Sequence, residues 1–73
     1  MSAKQKHHKI LGEVIRLHRK KSGMSQEKFA EKANLHHNYI GEIERGEKAP
    51  TIDTLLKISK ALNIRVRDLV DEL

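Results

Sequence analysis

The chain has no cysteine and no tryptophan, and one each of phenylalanine, tyrosine and proline in 73 residues. Without cysteine there is neither a disulfide framework nor a thiolate metal site, which fits a reducing cytoplasm. No apolar run approaches the roughly 20 residues needed to cross a bilayer, so no membrane partner is expected. The opening residues, Met1 to Lys9, carry charge but no apolar segment follows them, which excludes a secretory signal. That segment reads as a flexible basic arm over 1–9, ahead of a single domain over 10–73. A domain this short buries only about 60% of the surface its unfolded chain exposes, so its core is thin and a second copy would help it.

Strand signals are equally scarce. There is little β-branched density and no sustained alternation of apolar and polar residues. What is present recurs at helical spacing. Leu11, Val14, Ile15 and His18 make one stripe, Phe29, Ala30 and Ala33 a second, and Tyr39, Ile40 and Ile43 a third. Ile52, Leu55, Leu56, Ile58, Ser59 and Leu62 make the fourth; Val66, Leu69, Val70 and Leu73 make a short fifth. The expected class is all-α, with five helices near 8–22, 26–33, 37–45, 52–62 and 66–72.

The breaks carry stop and start signals. Gly23, Asn34, Gly46 and Asn63 each follow a periodic segment, and Gly and Asn tolerate the left-handed conformation that ends many helices. Three of them precede an apolar residue, Met24, Leu35 or Ile64, which supplies the hydrophobic contact that accompanies a Schellman ending. Ser25 and Thr51 suit the N-caps of the second and fourth helices. His36 and Arg65 are poorer caps for the third and fifth.

Net charge is +5. The first 23 residues hold seven Lys and Arg against Glu13 alone, and the remainder is close to neutral. A concentrated basic surface suits a polyanion, because each phosphate contact releases counterions. It equally suits a solvated segment that only aids solubility. Five histidines invite a metal or catalytic reading. Yet His7 and His8 lie on the arm, His36 and His37 are adjacent and His18 stands alone. None forms the i,i+4 pair of a helical zinc site. No nucleophile lies near a plausible base, so no enzyme activity, cofactor or metal is expected.

Two short helices separated by Asn34-Leu35-His36 match helix-turn-helix spacing, although any small bundle has such hairpins. The stretch from Ile15 through Ser25-Gln26 to Ala30 adds specificity. So do Tyr39-Ile40-Gly41-Glu42-Ile43-Glu44-Arg45-Gly46, then Lys48-Ala49-Pro50-Thr51 and Thr54-Leu55. In that order and spacing the chain resembles the Cro/repressor-like, or Xre, helix-turn-helix family, over about Ile10 to Leu69. The resemblance implies a compact five-helix lambda-repressor-like domain. It also implies transcriptional regulation, as a repressor or controller, through the third helix in the major groove. The implied partner is a near-palindromic double-stranded DNA operator, bound by a homodimer. A protein-interaction module or antitoxin-like adaptor that keeps the fold is the alternative, against which the polar face of the third helix argues.

Residue roles follow from the same resemblance. Base contacts fall to His36, His37, Asn38 and Glu42; asparagine can pair with adenine and glutamate can accept from cytosine. As an alternative, Asn38 and Glu42 form a solvated pair one turn apart. Backbone contacts fall to Arg19, Gln26, Tyr39, Arg45 and Lys48, with Gln26 at a helix N-terminus suited to an anion. Gln26 could equally be an ordinary solvated helix start, and Tyr39 could serve packing alone. Arg19 and Glu44 match a structural ion pair. Gly41 marks either a close approach to DNA or a packing need. The family usually has Ser or Thr where this chain has His36 and Arg65, which puts those two helix starts in question. The chain ends directly after its fifth helix, so either a regulator without a sensor domain or a fragment of a longer one is expected. The apolar stripe of that helix, Val66, Leu69, Val70 and Leu73, is expected to be exposed, and two copies are expected to join weakly through the last two helices.

Overall fold

The computed structural model describes the backbone of residues 3–73 and the side chains from residue 6 onward. It holds five helices, α1 Ala3–Lys21, α2 Gln26–Ala33, α3 His37–Glu44, α4 Ile52–Leu62 and α5 Val66–Val70, and no strand among the described residues. The start of α1 differs from expectation. Residues 3–9, read as a flexible arm, continue the helix; Met1 and Ser2 lie outside the described residues. The reason is local. Alanine, lysine and glutamine are strong helix formers, and nothing between Ala3 and Lys9 breaks a helix.

The stop signals act as the residue types dictate. Gly23, Asn34, Gly46 and Asn63 all have positive φ, between 57° and 76°. After α2, Leu35 N–H donates to the Ala30 carbonyl at 2.8 Å; after α4, Ile64 N–H donates to Ser59 at 3.0 Å. Met24 N–H reaches Arg19 in the same way after α1, and Glu47 N–H reaches Glu42 after α3. Each is the six-to-one bond of a Schellman ending, which satisfies a carbonyl that the helix itself leaves open. Ser25 and Thr51 cap α2 and α4, accepting from the N–H of Lys28 and Thr54. His36 also caps: its Nδ1 accepts from Asn38 N–H at 3.1 Å. Arg65 has no acceptor to offer, and α5 instead starts with the Asp68 carboxylate accepting from Arg65 N–H at 2.9 Å. Both helices begin where the spacing put them. At the other ends α3 stops at Glu44 and α5 at Val70, each short of its expected end.

Helix α1 packs on α3 and α5, α2 on α3 and α4, and α4 on α5. The six largest fully buried side chains, Ile15, Phe29, Ile40, Ile43, Ile58 and Leu69, come from all five helices. Burying each contributes about 1.5–3 kcal/mol relative to exposure. Two glycines set how closely α1 crosses the end of α3. A Cβ at Gly12 would collide with the carbonyl oxygens of Ile43 and Glu44, and one at Gly46 would lie 2.9 Å from Lys9 Cα. Glycine at 12 costs helix propensity, and what it provides in return is backbone contact between α1 and α3.

The fifth stripe departs from its expected exposure. Leu69 is fully buried, and Val66 and Val70 pack against the core. Only Leu73 of the four stays exposed. The cause is length: a helix as short as α5 lays its whole apolar side on α1 and α4. The exposed apolar residues lie elsewhere, at Leu17 on α1 and at Ile52 and Leu56 one turn apart on α4.

Candidate nucleic-acid interface

Helix α3 has a sharply divided surface. Ile40, Gly41, Ile43 and Glu44 are buried. His37 and Asn38 are exposed and Glu42 is half-buried, all on the opposite side. His36 and His37 stack with ring centroids 4.6 Å apart, while the cap bond holds His36 Nδ1. Tyr39 is half-buried and packs against the core.

Beneath this face lies a buried polar network. Arg19 Nε donates to Glu44 Oε2 at 2.7 Å and Nη2 to Oε1 at 3.0 Å, a two-pronged pair. Arg19 Nη1 donates to the Met24 carbonyl at 2.8 Å, tying in the turn before α2. Gln26 Nε2 donates to Glu44 Oε1 at 2.9 Å. Side-chain exposure is 9% for Arg19 and 2% for Glu44, and no buried side-chain nitrogen or oxygen among the described residues lacks a partner. One carboxylate therefore binds groups from α1 and α2 to α3 and fixes the angle at which α3 is presented. Satisfied in full, such a network rigidifies; half-satisfied, it would cost several kcal/mol. Arg19, read both as a pair member and as a backbone contact, has all three guanidinium nitrogens committed inside the fold.

A carboxylate only accepts, so the nitrogen of the Gln26 amide must be the atom that meets Glu44. The amide oxygen then turns toward α3, 3.6 Å from where a Cβ on Gly41 would stand. That same position is 3.0 Å from Arg45 Nη1. The Arg45 guanidinium thus lies over Gly41 and occupies the space the missing side chain leaves. The cations after α3 are paired. Arg45 Nε donates to Glu47 Oε2 at 2.7 Å and Nη2 to Oε1 at 3.2 Å. The Arg45 guanidinium hydrogen-bonds the Glu47 carboxyl and holds it below the usual carboxylate range, and Glu47 in turn raises Arg45. Lys48 Nζ lies 3.4 Å from Glu42. Glu42, weighed as a partner for Asn38, is paired with Lys48 instead.

Two shallow clefts meet at Gln26 and Arg45. One, of about 260 Å³, runs along the outer face of α3 past His37, Asn38, Gly41 and Glu42. The other, of about 340 Å³, runs between α1 and the end of α3, past Lys9, Glu13, Arg16 and Glu44. Lys9 and Arg16 were not singled out in the sequence. The available signal was their spacing: seven residues apart within the first helix, they share one of its sides. No three His, Asp or Glu side chains among the described residues gather as metal ligands would, and no helix of the described residues is long and apolar enough to cross a membrane.

A helix-turn-helix family, HTH_3, matches residues 15–69. The chain is 46% identical over 63 residues to the control protein C.BamHI of Bacillus amyloliquefaciens, covering 85% of this chain and 78% of that protein. It is 44% identical over 61 residues to the control protein C.SmaI of Serratia marcescens, covering 84% and 73%. The crystal structure of the restriction-modification controller protein C.AhdI from Aeromonas hydrophila superposes with a TM-score of 0.84 at 34% identity, covering 85% of this chain and 94% of that one. The buried Arg19–Glu44–Gln26 base, the tight turn at Asn34 and the polar outer face of α3 lie within or beside the matched segment, and the chain belongs to the HTH_3, or Xre-type, family of helix-turn-helix DNA-binding transcriptional regulators.

Proposed function

We propose that this protein binds a specific double-stranded DNA operator through α3 in the major groove and regulates transcription as a controller or repressor. The observation that carries this is a polar, uncrowded α3 face flanked by cations on both sides. Asn38 and Glu42 lie one turn apart on that face. Arg45 and Lys48 follow it, and Lys9 and Arg16 line the adjoining cleft of α1. Polar groups on the face read base edges, whereas surrounding cations hold phosphates and set register. Asn38 and Glu42 are the base readers, with His37 and the free edge of His36 beside them. Gln26, Tyr39, Arg45 and Lys48 face the backbone, joined by Lys9 and Arg16. Likeness to controllers of restriction-modification systems supports the controller role.

The same reading has two copies binding paired half-sites about 34–36 Å apart, one turn of the duplex. Their contact is Ile52 and Leu56 on α4, because these two large apolar side chains are left exposed one turn apart on a single helix. Selection of binding sites from random duplexes, followed by sequencing, tests the whole reading: a two-fold symmetric motif is expected. A motif unchanged when Asn38 and Glu42 are each replaced by alanine would remove α3 as the reader.

A further inference from the structure

The Arg45–Glu47 pair is unlike an ordinary surface contact in its geometry. Residues two apart do not face each other on a helix. Here α3 has ended, and Gly46 between them has φ of 76°, which turns the chain so that both side chains fall on one side. Glu47 is anchored there by its own backbone, whose N–H donates to the Glu42 carbonyl at 2.9 Å. Its two carboxylate oxygens take the Nε and Nη2 donors of Arg45. That edge of a guanidinium also matches two oxygens of a phosphate. Nothing in the fold depends on the pair, since both side chains are more than half exposed, at 58% and 53%. The carboxylate sits on Arg45, the cation beside the reading face that lines both clefts.

We propose that Glu47 acts as a built-in phosphate substitute, which holds the Arg45 fork closed in the free protein and must be displaced before Arg45 grips the DNA backbone. This rests on the DNA-binding reading above and on Arg45 as a backbone contact. Glu47 is then a positioning residue that limits affinity for every DNA sequence. An exposed pair is weak enough for a phosphate in the right place to replace it. The exchange also mutes the salt dependence, because a cation already neutralised by a carboxylate displaces fewer DNA counterions.

The test measures binding of the full chain to the selected operator and to a scrambled duplex across a salt series. Glu47→Gln is expected to bind both about three- to tenfold more tightly near 0.1 M salt, with a salt slope steeper by about 0.9. Glu72→Gln makes the same change in net charge beside the α1–α5 cleft and is expected to alter binding less than about twofold. In an Arg45→Ala background, Glu47→Gln is expected to add nothing. Circular dichroism melts confirm that each variant folds. A gain that persists without Arg45 would make Glu47 a plain repulsive charge and overturn the proposal. Operator binding by the wild type with no gain from Glu47→Gln overturns it too, while leaving the DNA reading intact. Absence of duplex binding by every form overturns both.

Discussion

The protein contains two Arg–Glu pairs with nearly the same local geometry and opposite surroundings. Arg19 and Glu44 meet at 2.7 Å and are almost wholly buried; Arg45 and Glu47 meet at 2.7 Å and are mostly exposed. Arg19 and Glu44 are 25 residues apart, whereas Arg45 and Glu47 are separated only by Gly46. Burial decides what each pair can do. The buried carboxylate has no water to return to, so it ties α1, α2 and α3 together permanently. The exposed carboxylate competes with water and with any other anion, so its hold on Arg45 is exchangeable. The same chemistry thus builds the support of the reading helix in one place and leaves an open grip in the other.

The largest effect is expected from breaking the buried pair. Arg19→Met should lower the unfolding free energy by about 3–5 kcal/mol, because Glu44 is left buried with Gln26 as its remaining partner. Denaturant melts measure this. Replacing both members, as Arg19→Met with Glu44→Leu, should restore much of the loss. A double variant as unstable as the single one would show that the pair itself stabilises the fold.

Next comes the close crossing of α1 over α3 that places Glu44 within reach of Arg19. Gly12→Ala should cost about 1–3 kcal/mol through overpacking against two backbone carbonyls, despite alanine's better helix propensity. A melting temperature equal to or above wild type would mean that the two helices part without loss.

On the exposed side, effects should pass to DNA and spare stability. Asn38→Ala should relax preference at one base pair by about 1–3 kcal/mol of discrimination while leaving the salt slope nearly unchanged. Arg45→Ala should leave the thermal melt unchanged and weaken operator and scrambled duplex together; its loss of about one in salt slope is expected in the Glu47→Gln background, where no carboxylate neutralises the arginine beforehand. A melt shifted as far as that of Arg19→Met would erase the contrast between the two pairs.

The smallest effect concerns protons. Glu47 is held below the usual carboxylate range by its hydrogen bond and charge interaction with Arg45. Its contribution is therefore present above the ordinary carboxylate range and is lost as pH falls through the lowered value. An NMR titration should give Glu47 a midpoint below that of an unpaired glutamate, and Arg45→Ala should return it to the ordinary range.

The sequence by itself determined the features that a few consecutive residues can decide. Asn34 and Asn63 end their helices because left-handed backbone and an apolar next residue complete a Schellman turn within six residues. Ser25 and Thr51 start helices because their hydroxyls reach an N–H three residues on. The spacing of α2, turn and α3 followed from these signals, and with it the polar face of α3. Tertiary structure decided what depends on neighbours distant in the chain. Periodicity alone does not separate Ile52, Leu56 and Leu69, and the stripe of Leu69 was expected to be exposed, yet contact with α1 and α4 buries Leu69, whereas none of the described residues covers Ile52 and Leu56. The partnership of Arg19 with Glu44 came from family resemblance, since no local rule reaches across 25 residues. Lys9 and Arg16 gained their place beside Arg45 only once α1 crossed the end of α3 at Gly12. Helix caps are set by atoms a turn away, whereas burial and charge pairing depend on which surfaces the folded chain brings together.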